Sequence, residues 1–337
     1  MIAIHPFSES FSERWITYCE EKKISYKIVD CFANDILDQM EDCSILIWHW
    51  HHADPKAVLF ARQLTYSLEM MGKTVFPNSK TVWHFDDKVG QKYLLEAVKA
   101  PIVPTYVFYD KNAAMEWSET ASFPKVFKLR GGAGSYNVKL AKTKIDAQKF
   151  IKRAFGKGFS SVPGYTRDFK TKVQRIASIK ELLRKLLRAP RIILTVMNSN
   201  KVMGKERGYV YFQDFIPNNL FDIRIVVIGK EAFGLKREVR KNDFRASGSG
   251  KIIYDKKQIN EECIKIAFKT SRKLQSQSMA YDFVFDSSGI PQIVEISYGV
   301  SYKAYDKCDG VWDENLNWHK KNVDVPVMIL ESLIHSS

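Results

Sequence analysis

The sequence predicts a mixed α/β protein in which a small parallel-sheet domain precedes two α+β lobes around a cleft. Three observations carry this reading. Strand-like and helical runs alternate through residues 1–85. A glycine-dense hairpin interrupts the middle of the chain, and several charge-rich strand-like runs crowd residues 209–297. With 337 residues, the chain exceeds what one small core organises and suits two or three lobes.

Taken in order, 2–5, 25–30, 44–50 and 74–77 read as strands, with helical patterns at 11–22 and 57–71. This βαβ rhythm implies a parallel sheet with helices on its faces. Ligands on such sheets gather at the carboxyl ends of strands. The cluster Trp48-His49-Trp50-His51-His52 is therefore expected to form a substrate-facing polar edge. It lacks the cysteine or acidic partners that would make it a zinc site. The segment Met71-Gly72-Lys73-Thr74 imitates the end of a phosphate-binding P-loop. The required earlier glycine is Ser67, however, and the lysine follows a helix instead of opening one.

A helix is expected over 86–99, stopping at Pro101, then a strand over 104–110. The stretch FPKVFKLRGGAGSYNVKLAKT follows at 123–143. It reads as a strand carrying Lys128, a turn Gly131-Gly132-Ala133-Gly134-Ser135, and a second strand over 137–143. Such a hairpin can lay backbone N–H groups over a polyanion, because glycine permits close approach and φ > 0. Lys128 supplies a point charge for phosphate. A glycine-tipped hairpin without a ligand fits the same pattern.

Net charge is +14, and its basicity is local: thirteen lysines and arginines stand against two acids between Lys149 and Arg191, a balance of +11. Nucleic acid is disfavoured as its partner because no aromatics interleave with the cations over 170–191. The amphipathic stretch 179–187 reads as a membrane-surface element or as a solvated helix packing its leucines on a neighbouring lobe. Five scattered cysteines without a CxxC pair argue for a reducing cytosol and against a disulfide framework or zinc cluster. No run approaches the roughly 18 apolar residues of a membrane span. The start, MIAIHPFSES, lacks a basic n-region, so a cytoplasmic protein is expected.

Beyond Gly208, strands are expected at 209–216, 221–228, 231–240, 279–286 and 292–297, with helices at 258–277 and 325–335. Asp222 and Arg224 share one face of their strand, and Lys236 and Arg237 lie on the next. Arg245 sits in the turn-rich NDFRASGSGK. Asp282 and Glu295 flank a Ser-Ser-Gly turn and should face each other across paired strands. Two close carboxylates call for a cation between them, and hard oxygen ligands near phosphate-binding lysines point to Mg²⁺ over zinc. Ordinary ion pairs on a solvated edge are the alternative. The apolar neighbours Phe283, Val284, Ile293, Val294 and Ile296 make solvation a poor account.

These elements together resemble the ATP-grasp ligases, in the branch that includes glutathione synthetase and the enzyme that adds glutamates to a ribosomal protein tail. The matching segments are FDDK at 85–88, FPKVFKLRGGAGSYNV at 123–138, YFQDFIP at 211–217 and FDIRIVVIG at 221–229. LKR at 235–237, DFRAS at 243–247, YDFVFD at 281–286 and VEIS at 294–297 complete the family order. The resemblance implies two α+β lobes clasping ATP (86–207 and 208–337) after a small parallel domain (1–85). It assigns Lys88, Lys128 and Lys236 to the phosphates, and Gly131, Gly132, Gly134 and Ser135 to a mobile flap. It places Gln213, Asp214 and Phe215 at the adenine and Asp222 at the nucleotide. Arg245 would steady the transferred phosphoryl group, and Arg224 and Arg237 would anchor a substrate carboxylate. Asp282 and Glu295 would hold Mg²⁺, with Ser297 in the third metal-side position.

Three departures from the family pattern stand out. Ser297 replaces an asparagine, Asp214 replaces the commoner glutamate, and about fifty residues, 156–207, are inserted before the hinge strand. The tail 297–319 also resembles a subgroup associated with bacterial surface-polysaccharide gene clusters. Its Tyr298, Tyr302, Tyr305, Trp312 and Trp318 either stack on sugars or nucleobases or form an aromatic core. The activity implied is ATP-dependent ligation of a small-molecule carboxylate to an amine through an acyl-phosphate, releasing ADP and phosphate. A nucleotide- or lipid-linked sugar is one such substrate. A kinase on the same fold and a non-catalytic basic polyanion-binding module are the competing readings.

Overall fold

The computed structural model describes residues 1–7, 10–51, 54–131, 138–160, 204–239, 245 and 251–335. Its first sheet is parallel, in the order β2-β1-β3-β4, from β1 (Ile2–Ile4), β2 (Tyr26–Ile28), β3 (Ile45–Ile47) and β4 (Thr74–Phe76). The central β1 and β3 are apolar throughout and fully buried, as strands covered on both faces must be. The helix Pro55–Met70 starts with proline in its first turn and with Asp54 accepting from the Lys56 amide.

The second sheet is antiparallel, in the order β5-β10-β6-β7: β5 (Thr105–Phe108), β6 (Lys125–Lys128), β7 (Lys139–Ala141) and β10 (Val210–Asp214). Between β7 and β10, β8 (Phe159–Ser160) pairs with β9 (Lys205–Glu206). The second sheet thus draws strands from both sides of position 207. Its core, centred on Phe127 and Phe212, is closed by the helices Lys111–Thr120 and Lys144–Ala154. The first of these helices is absent from the sequence reading, although Asp110 caps it at the Ala113 amide. Of the predicted strand over 137–143, Lys139–Ala141 is formed.

The third sheet runs β15-β14-β11-β12-β16-β17 with β13 beside β12. Its strands are β11 (Phe221–Ile228), β12 (Glu231–Glu238), β13 (Ile252–Ile253), β14 (Ser278–Phe285), β15 (Pro291–Ser297), β16 (Gly310–Trp312) and β17 (Trp318–Lys320). Period-two alternation sends β11 into two cores. Ile223, Ile225 and Val227 pack under the helix Glu261–Leu274, whereas Val226 and Ile228 join the core of the first sheet. The first domain and the third sheet are therefore fused through one continuous apolar interior. Trp15 seals it by donating its indole N–H to the Pro326 carbonyl at 2.7 Å.

The aromatic tail belongs to this interior. Tyr298, Tyr302 and Tyr305 are buried, and the Tyr298 hydroxyl donates to the Trp50 carbonyl at 2.6 Å. Trp312 and Trp318 pack edge to face across the β16–β17 hairpin, with ring centroids 4.6 Å apart. The tail thus takes the core reading. At Tyr302 the tail also lines a cavity, so it serves both as core and as wall. All five cysteines are free and buried. Among the described residues no helix is long and apolar enough to cross a membrane. The predicted amphipathic stretch 179–187 lies outside the described residues.

Candidate active site

Between the second and third sheets lies a cavity with two chemically distinct ends. Val103, Val126, Phe215, Ile216 and Phe221 line an apolar slot, and Lys88, Lys128, Arg245, Asp222, Asp282 and Glu295 line the other end. An apolar slot beside an end where three cations meet three carboxylates suits a ligand with an apolar face and a charged end.

Each end is set by local structure. Lys88 opens the helix Lys88–Ala97, whose Asp87 cap accepts from the Gly90 amide. That places its ammonium 3.1 Å from Glu295 Oε1 while the side chain is 4 % exposed. Burial opposes its charge, but Glu295 and then Asp86 outweigh burial and hold it above the ordinary lysine value. Lys128, at the end of β6, is equally buried, yet its ammonium donates to a neutral group, the Gln213 amide oxygen, at 2.6 Å. Burial, against the pull of Glu295 and with repulsion from Lys88, pushes it down to about 8.

Asp282 and Glu295 face each other in register across β14 and β15, just before a β-bulge, as the sequence predicts. Beneath them, charges alternate across three strands. Arg224 holds Asp282 in a fork, Nε to Oδ1 at 2.5 Å and Nη2 to Oδ2 at 2.6 Å. Arg237 grips Asp222 in the same way, at 2.7 and 2.6 Å, and reaches Asp282 Oδ1 at 3.1 Å. Despite burial, the two guanidiniums hold the Asp282 carboxyl well below the usual carboxylate range. Arg224 and Arg237 are therefore occupied by the protein's own carboxylates. The expectation that they anchor a substrate carboxylate is corrected to one of carrying Asp282.

Other predicted residues separate in the same way. Arg245, Phe215 and Asp222 line the cavity. Gln213 also borders it, but its side chain is 2 % exposed and committed to Lys128 and Thr105, so it does not present an amide to adenine. The Asp214 carboxylate pairs with Lys125 at 2.5 Å, and its backbone N–H donates to the Pro104 carbonyl at 2.9 Å. Lys236 is turned to the opposite face of β12 from Arg237, donating to Gln258 and lying 4.0 Å over the Phe221 ring. Alternation along a strand already forbids both neighbours from facing one site. At Gly131, the first residue of the expected flap, a Cβ would lie 3.1 Å from Asp86 Oδ2. Gly132, Gly134 and Ser135 lie outside the described residues.

A second cavity adjoins the first and shares Glu295 with it. Its walls include His49, His51, Asp86, Gln91 and Ser297. The Ser297 hydroxyl donates to the Gly299 carbonyl at 2.9 Å, so its lone pairs remain for a ligand. His49 stacks on Phe11 with centroids 3.7 Å apart, and its Nδ1 lies 2.7 Å from Ser10 Oγ. His52 lies outside the described residues. Asp86, which the sequence reading passed over, has a left-handed backbone at φ 53°. Its place beside Lys88 in FDDK was the available signal.

Among the described residues no group of three or more carboxylates, imidazoles or thiolates forms a self-sufficient metal cage. Asp282 and Glu295 present two hard oxygen donors at the charged end instead. That suits a cation completing its shell with phosphate oxygens.

The RimK-like ATP-grasp domain family model matches residues 176–313. No curated protein matches the sequence. Among solved structures, D-cycloserine synthetase DcsG is similar over 99 % of both chains at 10 % identity and a TM-score of 0.61. A RimK domain ATP-grasp protein from Sphaerobacter thermophilus is similar over 99 % of both chains at 14 % identity, TM-score 0.58. D-alanine–D-alanine ligase from Bacillus anthracis, in complex with ATP, is similar over 99 % of this chain and 96 % of its own at 14 % identity, TM-score 0.54. With its lobes, hinge strand and facing carboxylates in this arrangement, the chain has the ATP-grasp fold, and its C-terminal part matches the RimK-like ATP-grasp domain.

Proposed function

We propose that the protein is an ATP-dependent carboxylate–amine ligase. The single observation that carries this is the junction of two cavities at Glu295, one with an apolar slot and an end where Lys88, Lys128 and Arg245 stand among carboxylates, the other largely polar. ATP fits the first, with its base in the slot and its phosphates toward Lys88, Lys128 and Arg245. The second opens beside the phosphate end and takes the acid and the amine.

A carboxylate oxygen of the acid attacks the γ-phosphorus, ADP leaves, and an acyl-phosphate forms. The amine nitrogen then attacks the acyl carbon, phosphate leaves, and the amine gives up its proton to yield the amide. Lys88, Lys128 and Arg245 stabilise the charge moving between phosphate and acyl oxygens, and no side-chain nucleophile is required. Mg²⁺, held by Asp282 and Glu295, would neutralise phosphate charge and orient the nucleotide. Arg224 and Arg237 fix the Asp282 carboxylate in place, and Lys88 orients Glu295. Small polar acids, including sugar uronic acids, fit the second cavity's chemistry.

The test is Mg-dependent ATP turnover against a panel of amino acids and nucleotide-sugar uronic acids, separating ADP from AMP, beside Glu295→Ala. ADP and phosphate released only with one acid–amine pair, and lost in the variant, is the expected result. A stable phosphorylated product formed without an amine would make it a kinase instead. ATP binding with no turnover under any pairing would favour a binding module.

A further inference from the structure

We infer that Gln213 is a positioning residue for Lys128, aiming its ammonium at the phosphates while leaving its charge unneutralised. This rests on the reading of the first cavity as an ATP site. The argument begins with sheet register. Gln213 on β10 pairs directly with Thr105 on β5, and it lies diagonal to Lys128, which pairs with Tyr211. The three side chains thus form one row across three strands.

Their donors and acceptors admit one arrangement. The Thr105 hydroxyl donates to the Val103 carbonyl at 2.7 Å, so towards Gln213 it can only accept. Gln213 Nε2 donates to it at 3.1 Å, which turns Oε1 toward Lys128. A lysine ammonium can only donate, so the 2.6 Å contact fixes the amide's orientation from the other side as well. The amide is buried and satisfied at both ends. Lys88, by contrast, is held by a carboxylate, Glu295. A neutral holder leaves Lys128 the less compensated of the two cations facing the phosphates.

The experiment is calorimetric titration of wild type, Gln213→Leu and Gln213→Glu with ATP, ADP and adenosine between pH 6.5 and 9.5. For Gln213→Leu we expect ATP and ADP affinity to fall about tenfold at pH 7, with adenosine affinity unchanged. Wild-type ATP affinity should fall as pH rises past about 8, because Lys128 loses its proton there. In Gln213→Glu the new carboxylate keeps Lys128 charged, so ATP affinity should be weaker at pH 7 but flat to pH 9.5. Equal losses for adenosine and ATP in Gln213→Leu would overturn the inference and return Gln213 to the adenine hinge. A wild-type pH profile persisting unchanged in Gln213→Glu would overturn it too. Failure of wild type to bind ATP at any pH would instead overturn the ATP-site reading beneath it.

Discussion

Asp282→Asn is the most informative single change to the charge row beneath the site. Asp282 accepts three charge-assisted bonds, at 2.5, 2.6 and 3.1 Å, and its side chain is only 13 % exposed. Asparagine keeps the shape but turns an N–H₂ toward guanidiniums that can only donate. Arg224 then loses one tine of its fork, Arg237 keeps Asp222, and one buried positive charge is left uncompensated. Breaking a buried pair from one side costs roughly 3–5 kcal/mol. For a chain of this length that corresponds to a Tm lowered by roughly 4–7 °C. The sign with pH follows from the depressed carboxyl. Its stabilisation is complete above the unfolded carboxylate range and is lost as pH falls through the folded value. Thermal unfolding should therefore show a constant gap between wild type and variant from pH 8 to 5, closing below about pH 4. A Tm within 2 °C of wild type at pH 7 would refute the view that these charges are mutually dependent.

Two further outcomes follow from other parts of the fold. His84 is 1 % exposed, and burial pulls its imidazole down to about 4. The unfolded chain binds the proton first, so stability should fall between pH 6.5 and 4 by up to about 3 kcal/mol; urea midpoints of His84→Phe should lack that part of the decline. Gly310→Ala would drive a Cβ into the Trp318 ring and to within 2.5 Å of the His319 carbonyl. A destabilisation of roughly 1–3 kcal/mol should appear in urea unfolding, and an unchanged midpoint would mean the β16–β17 hairpin is not packed as described.

What the sequence discloses divides along physical lines. The meeting of Asp282 and Glu295 was legible because a short turn fixes strand register, and register fixes which carboxylates meet; Lys128 was marked by its glycine hairpin and Lys88 by the family resemblance. The parallel first sheet was legible from the alternation of strand-like and helical runs. Side-chain commitments were not. Nothing local announces that Gln213 turns to Lys128, or that Arg224 is consumed by Asp282, because those partners come from strands distant in sequence; Arg237 and Asp222, by contrast, face each other across one tight hairpin. Lys236 could have been set aside by alternation, since Arg237 next to it takes the inward face. The aromatic tail was ambiguous for a different reason. Tyrosines that line a cleft and tyrosines that close a core have the same composition, and only Tyr298 meeting Trp50 separates them.

The pairing of β8 with β9 sets Ser160 beside Lys205. Neighbouring antiparallel residues stand about 5 Å apart, so the intervening chain departs from and rejoins the body at one point. The 161–204 segment of the sequence, with ten lysines and arginines against two acids, therefore begins and ends at one two-residue ladder. A two-residue turn could bridge the same gap. More than half of the protein's excess positive charge, +8 of +14, thus joins the described fold at a single place, and its gain or loss need re-register no strand of the second or third sheet.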